Sequence, residues 1–522
     1  MVAKMKDFTK GSLTGISAKV TDDDFKRLIP KERFTSKEWL QKEYDLLWSR
    51  VWQWACREEE IPNNGDYYEY KIGDESIIIV RSETGKLNAF HNVCMHRGVR
   101  LVEGEHWWGG RGTLNNFRDM FKGKLRCVYH GWAWDLEGEI SHLPGAKDFA
   151  PERIQKSEIC LRPVRCETWE GFVFINMDMD AEPLLEYLEP GPEKLAKYKI
   201  SEMRLKHHFT TILPTNWKYG VEQYQEGYHV WATHVMDLND VGAFATLPGG
   251  RRAGAMFGEG KKGPGEAGYP EYGKPTIKET PPDPDAIGAV TVGEQFERHT
   301  NFWEPDKDIQ TGVPKGVKLC DLKDEKITDP RTWVRTAMEN MVMQGRLADY
   351  ELDYFNGLSD DEIPWDMQGP EFMRKNRRDA CTAQGIDISQ LEETELYGFP
   401  TEFRFFPNML GPIAGNTYGL FRSRPHGDNP NEAIWDVYFM FRYGEEEPPE
   451  VNYETVEWDN YPTDRMPRTF LQDWRITPLY QKGMHSRVLP GCRFNKQEAN
   501  ALHTHLMLDK IIGRDFEEVV ED

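Results

Sequence analysis

The sequence predicts an α+β protein made of two unlike parts, and three observations carry that expectation. Between about residue 49 and residue 175 the chain breaks into short runs of β-branched and aromatic residues separated by turn signals, the texture of a small all-β domain. Beyond residue 176, helical patterns alternate with longer strand patterns, as in a second and mixed unit. Potential metal ligands gather in two places: Cys94, His96, Cys127 and His130 upstream, and Glu226, His229 and His234 downstream.

Residues 1–44 are mixed and partly helical, and form a leading segment expected to pack on the downstream unit. Thr35-Ser36-Lys37-Glu38 is expected to cap a helix through Leu40, Tyr44 and Leu47, because a hydroxyl followed three residues later by Glu satisfies free amide donors. In the upstream domain, taken as residues 45–175, Asn64-Gly65 and Thr84-Gly85 mark turns around strands at Tyr67–Tyr70 and Ser76–Arg81. Leu87–Phe90 leads into the first Cys/His pair, and Gly131–Gly138 reads as strand and turn after the second. Both pairs are therefore expected at the tips of β-hairpins. Gly171–Asn176 is a further strand, and Pro183–Leu188 turns helical.

The downstream unit, residues 176–522, opens on Asn216–His234 (NWKYGVEQYQEGYHVWATH), whose apolar residues Val221, Tyr224, Tyr228 and Trp231 suggest a helix with an irregular end. Residues near 240–290 are rich in Gly and Pro and read as an insertion. Gly258, Gly260 and Gly263 match GxGxxG, but no strand precedes them and Pro264 follows where a helix should open, so a dinucleotide site is excluded there. Arg331–Tyr354 and Gly369–Gln384 read as helices. Leu396–Phe406, Thr417–Ser423 and Ile434–Tyr443 read as strands of one antiparallel sheet, and two helical patterns, Asp473–Gly483 and Gln497–Ile512, close the chain.

The composition narrows the function. With 65 basic and 87 acidic residues the formal charge is −22, which argues against non-specific nucleic-acid binding, since that needs a basic surface. No apolar run approaches the ~18 residues needed to span a bilayer, and the first fifteen residues have no apolar core to act as a secretory signal. Cysteine is sparse, eight in 522 residues, and two of the eight stand beside histidines, which favours metal binding in a reducing compartment over a disulfide framework. The expected location is the cytoplasm.

Cys94 and His96 are two apart, like strand positions on one face; Cys127 and His130 are three apart, as in a tight metal-binding turn. Two thiolates and two imidazoles can hold zinc, or a [2Fe–2S] cluster with histidines on one iron and cysteines on the other. Each pair supplies one of each, which favours the cluster. Downstream, two histidines and one carboxylate could hold a mononuclear iron with open positions for dioxygen and substrate. At about 100° per residue, His229 and His234 would lie about 140° apart on a regular helix, so sharing a metal requires that the helix distort or end between them.

Cys94-Met95-His96-Arg97-Gly98 and Cys127-Val128-Tyr129-His130-Gly131-Trp132 closely resemble the Rieske signature, CxHRG followed by CxYHGW. Asn216-Trp217-Lys218, Glu226-Gly227-Tyr228-His229 and His234 are similar to the iron-ligand segment of one family, the large (alpha, catalytic) subunits of Rieske non-heme iron ring-hydroxylating oxygenases. The resemblance implies a Rieske [2Fe–2S] domain plus a helix-grip catalytic domain, an antiparallel sheet around a long helix. It implies a cluster on Cys94, His96, Cys127 and His130 and a mononuclear Fe(II) on His229, His234 and a late carboxylate. Leu471-Gln472-Asp473-Trp474 resembles the family's late segment and marks Asp473, with Asp459 and Asp464 as fallbacks. Glu226 matches the acidic residue that bridges an iron-bound histidine to a cluster-bound histidine of the neighbouring subunit, here His229 and His130; Asn216 matches a residue near the iron. One departure stands out: thirty residues separate His96 from Cys127, about twice the family's usual gap, and the excess falls in 105–124.

The resemblance further implies a trimer, alone or with a small β subunit, and electrons from NAD(P)H through a separate reductase with or without a ferredoxin. The expected reaction is hydroxylation, as a dihydroxylation, of an aromatic or other cyclic hydrophobic substrate. The alternatives are a Rieske monooxygenase (an O- or N-demethylase or quaternary-amine oxidase) and a non-catalytic electron carrier. The second ligand set speaks against the carrier, which would not need it.

Overall fold

The computed structural model describes residues 17–18, 20–114, 123–226, 229, 233, 290–291, 298–299, 318–322, 327–343, 345–396, 401–444, 447–460 and 468–512. His234, Asp464 and nearly all of the insertion near 240–290 lie outside the described residues, as do residues 115–122 of the 105–124 excess.

The described residues of the upstream part form ten strands: β1 (Gln53–Arg57), β2 (Asp66–Ile72), β3 (Glu75–Arg81), β4 (Leu87–His91), β5 (Gly109–Thr113), β6 (Leu125–Arg126), β7 (Ala133–Trp134), β8 (Ile140–His142), β9 (Pro163–Trp169) and β10 (Phe172–Asn176). Seven form an antiparallel sheet in the order β1-β10-β9-β4-β3-β2-β5, and β8-β7-β6 form a second, small sheet. The Ile77–Val80 run (IIIV) is apolar throughout because β3 is buried on both faces. Ile77 and Ile79 point into the large core shared with the downstream sheet, while Ile78 and Val80 point into a smaller core with Phe90, Cys94, Cys127 and Trp132.

Downstream, β11 (Met203–Leu213), β12 (Arg298–His299), β13 (Thr401–Phe405), β14 (Met409–Ala414), β15 (Thr417–His426), β16 (Asn429–Arg442) and β17 (Asn452–Thr455) form a sheet in the order β12-β13-β14-β15-β16-β11-β17. All pairs are antiparallel except β11–β17, which is parallel. Among the described residues the α-helices longer than five residues are α1 (Lys37–Glu43), α2 (Trp217–Glu222), α3 (Pro330–Met343), α4 (Asp349–Gly357), α5 (Gly369–Ala383), α6 (Arg468–Met484) and α7 (Ala499–Ile512). α2 lies on β15 and β16 so closely that a Cβ on Gly220 would stand 2.9 Å from Ser423 Oγ and 3.2 Å from the Trp435 ring. This contact fixes the helix that leads into Glu226.

A buried polar knot ties the two sheets together. His208 on β11 contacts Glu60, just beyond β1, at 3.2 Å and Asp436 on β16 at 3.3 Å. Arg422 donates to Asp436 at 2.8 Å and to the Ala55 carbonyl of β1. Burial disfavours the charged imidazole, but the hydrogen bonds to Asp436 and Glu60 outweigh it and raise the pKa of His208 above its ordinary value.

Three local expectations need correction. α1 is capped by Ser36, whose hydroxyl accepts the Trp39 amide at 3.1 Å, whereas the Thr35 hydroxyl donates to the Lys31 carbonyl within the preceding turn. The helix read over Arg331–Tyr354 is two helices. Gly345 (φ +70°) breaks it, with the Gly345 amide on Val342 O and the Arg346 amide on Met341 O closing a C-terminal cap that only a left-handed residue permits. The Cys94–His96 pair follows β4 but is not a hairpin tip, because the next strand, β5, pairs with β2.

Candidate functional site

The upstream candidate centre consists of two copies of one closed turn. In the first, the Cys94 amide donates to Val99 O and the Gly98 amide to Cys94 O; in the second, the Cys127 amide donates to Trp132 O and the Gly131 amide to Cys127 O. Gly98 (φ +77°) and Gly131 (φ +78°) occupy the left-handed position that closes each turn, where a side chain is strained. Because the turns are equivalent, Cys94 matches Cys127, while His96 stands third and His130 fourth. The buried thiols face each other, and the imidazole rings stand 4.7 Å apart.

Burial, and then the neighbouring Cys127 thiol, push the Cys94 thiol above its ordinary pKa. Two adjacent buried thiolates need a cation, so the donor set suits a metal cluster. The rim is exposed: Val128 is 73% and Tyr129 56% accessible, with His130 and Arg97 beside them.

The downstream candidate centre forms where α2 ends. After Glu222 the chain turns, and Glu226 grips His229 twice: Oε2 accepts the His229 amide at 3.0 Å, and Oε1 lies 2.6 Å from Nδ1. His229 Nε2 faces Oδ1 of the buried Asp473, on α6, at 3.6 Å. A proton on Nδ1, shared with Glu226, leaves the Nε2 lone pair opposed to a carboxylate. Two acceptors face each other there, an arrangement that a metal cation satisfies. α2 ends at Glu222, before His229; the stretch between the two histidines, where the spacing asks for an end or a distortion, falls largely outside the described residues.

Asn216 is placed elsewhere. It caps α2, accepting the Lys218 amide at 3.2 Å, while its Nδ2 donates to Pro430 O at 2.8 Å and Phe34 O at 3.3 Å. It seats the start of the helix and is not among the residues lining the cavity. Asp459, the described fallback for the third ligand, is not among them either. Among the described residues no group of three or more His, Cys, Asp and Glu side chains closes on one point at either centre.

Beside His229 opens a cavity of about 320 Å³ lined by Tyr219, Glu222, Glu226, Asp473 and Glu498 among others. Burial, reinforced by Glu226, pushes the Glu222 carboxyl up to about 8, against Lys218 and Arg33, which oppose the shift. Burial likewise raises Glu498 to about 7, with Glu226 and Glu222 adding to it. Sequence reasoning missed Glu222 and Glu498. Glu222 stands one helical turn before Glu226, which was a readable signal; Glu498 arrives only through the tertiary fold.

Residues 51–156 match the Rieske [2Fe-2S] domain, and residues 346–514 match the ring hydroxylating alpha subunit (catalytic domain). The carnitine monooxygenase oxygenase subunit of Escherichia coli (strain K12) is 33% identical over 208 residues, 40% of this chain and 52% of that protein. The large oxygenase component of the Pseudomonas putida naphthalene 1,2-dioxygenase system is 31% identical over 219 residues, 41% of this chain and 46% of that protein. The chain thus spans about half the length of the curated relatives it matches.

In fold it resembles a quaternary ammonium Rieske monooxygenase in complex with L-carnitine (TM-score 0.51, 17% identity, 94% of this chain and 99% of that one). It likewise resembles naphthalene 1,2-dioxygenase from a Rhodococcus species bound to indole (TM-score 0.51, 16% identity, 94% and 95%). The two matched domains, in this order on one chain, define an iron–sulfur protein with an appended catalytic domain. The chain carries a Rieske [2Fe-2S] domain followed by the catalytic domain of a ring hydroxylating alpha subunit, a pair that implies a [2Fe–2S] cluster and a mononuclear iron.

Proposed function

We propose that the chain is the terminal oxygenase component of a multicomponent system that hydroxylates, as a dihydroxylation, an aromatic or other cyclic hydrophobic substrate with dioxygen. In this reading Cys94, His96, Cys127 and His130 hold the cluster, and His229, His234 and Asp473 hold the iron. The observation that carries it is the Glu226–His229–Asp473 alignment, a carboxylate-held imidazole turned toward a second carboxylate. The ferrous iron, when bound, supplies dioxygen activation. Glu226 fixes the imidazole and its proton, and Asn216 anchors the start of the helix that leads into them.

Electrons come from NAD(P)H through a separate reductase, with or without a ferredoxin. The exposed His130 rim and the open cavity beside Glu226 suit a homotrimer, alone or with a small β subunit, in which His130 of one copy meets Glu226 of the next. A cytoplasmic location agrees with eight cysteines, none in a disulfide, and with the absence among the described residues of a helix long and apolar enough to cross a membrane. Glu226→Gln tests the route: both metals should stay bound while single-turnover transfer from reduced cluster to iron slows at least tenfold. Transfer at the normal rate would remove the bridging role.

The carnitine monooxygenase relatives favour a second reading, a monooxygenase of the demethylase or quaternary-amine type. The stacked Tyr219 and Tyr480 rings, 3.6 Å apart on the cavity wall, offer a face to a cation. Turnover under labelled dioxygen separates the two readings: two labelled oxygens in the product for dihydroxylation, one for monooxygenation.

A further inference from the structure

The turn that carries Glu226 and His229 is held from outside its own segment. Gln225, immediately before Glu226, is gripped by α7 at two points. Asn500 Nδ2 donates to the Gln225 carbonyl at 3.0 Å, and the Thr504 hydroxyl donates to Gln225 Oε1 at 3.1 Å. The Thr504 oxygen in turn accepts from the Arg404 guanidinium, which also donates to Asn500 O at 3.3 Å and to His503 Nδ1 at 2.8 Å. All four supports are buried, Thr504 at 1% and Arg404 at 3% exposure, and Arg404 lies on β13. The Thr504 hydroxyl proton has two acceptors in reach, Gln225 Oε1 at 3.1 Å and the Asn500 carbonyl at 3.4 Å; on the nearer one, the hydrogen bonds run from guanidinium to hydroxyl to the Gln225 amide oxygen. A charged donor on the first bond polarises the second. α2 has ended at Glu222, and the described residues 223–226 that follow it are not helical.

We infer that Thr504 and Asn500, backed by Arg404, are positioning residues that set the Glu226–His229 turn and thereby the direction of the His229 imidazole. The inference rests on the oxygenase reading for its consequence at iron, but not for the clamp itself. Thr504→Val removes the hydroxyl at nearly constant volume, Asn500→Ala removes the second grip, and Thr504→Ser retains the hydroxyl.

The experiment compares the full-length variants by two readouts. The first is hydrogen exchange of the peptide holding the His229 amide in iron-free protein. The second is ferrous-iron affinity at the downstream site. Exchange in Thr504→Val and Asn500→Ala should accelerate about tenfold, and iron affinity should fall by up to about 10-fold, the low end of the roughly 10–100-fold cost of removing a ligand's own outer partner, because these residues act one step further out. The visible spectrum of the cluster should be unchanged, and Thr504→Ser should restore both readouts. Wild-type exchange and affinity in both variants, or no rescue by serine, would overturn the inference. Should Thr504→Val not fold, Gln225→Leu removes the same bond from the other end and should show the same pair of defects; wild-type behaviour there also overturns it. If the wild-type protein takes up no ferrous iron, the oxygenase reading fails while the exchange comparison still decides the clamp.

Discussion

Cys94 and Cys127 present their thiols alike because the same closed turn is written twice in the chain, each within six residues and each closed by a left-handed glycine. Asp473 reaches His229 by another route: α6 folds back over the downstream sheet, and Glu226 turns the imidazole toward it. The upstream donors are local, and their rim is exposed. The downstream donors are non-local, and their supports (Asn500, Thr504, Arg404) are buried and distant in sequence. The comparison teaches that a centre built from turns carries its geometry in its own sequence, whereas a centre built by packing borrows its geometry from the whole domain.

The largest expected effect separates the two centres outright. Cys127→Ser should abolish the cluster, its colour and its sulfide while the downstream site still binds ferrous iron. His229→Ala should do the reverse, keeping the cluster and losing iron and oxygenation. Metal analysis of both variants checks this; loss of both centres in either variant would show that the two parts do not fold independently around their metals.

A second expectation concerns the knot that joins the sheets. His208→Gln leaves Glu60 and Asp436 buried without their imidazolium, a cost of roughly 3–5 kcal/mol. The sign of the pH dependence follows from the shift. The folded pKa of His208 is raised, so its contribution is complete below the unfolded histidine value and is lost as pH rises through the folded one. Burial opposes ionisation of Asp436, yet Arg422 and His208 pull its pKa well below the carboxylate range, so the acid limit of the knot lies far lower. Wild-type thermal stability should therefore fall from neutral toward alkaline pH, and His208→Gln should start lower and fall less. Parallel pH profiles for the two proteins would contradict this.

The smallest effect sharpens the local half of the comparison. Gly131→Ala forces a side chain at φ +78° and should cost about 1–2 kcal/mol, read as weakened cluster retention with the downstream iron unaffected.

What was legible in the sequence follows the same division. The four upstream donors, the strands around them and the apolar run of β3 could be read from local pattern. The two-faced burial of β3 could not, because it depends on which sheet packs behind. Glu226 and His229 were legible as a cluster, but Asp473 was marked only by resemblance, since no spacing rule links it to His229. Asn216 carries a helix-cap signature as well as its motif match, and its hydrogen bonds follow the cap. The break at Gly345 was visible as a glycine within a helical pattern, but only the paired backbone bonds of Gly345 and Arg346 make it a terminus. Thr504 and Asn500 look like ordinary residues of a buried helix until Gln225 is seen against them.

The most direct test of the account is a count of iron, acid-labile sulfide and zinc in anaerobically purified protein. The account predicts about three irons and two sulfides per chain without zinc. About two irons and two sulfides would leave the downstream centre without metal and favour an electron carrier, and zinc without sulfide would contradict the central claim.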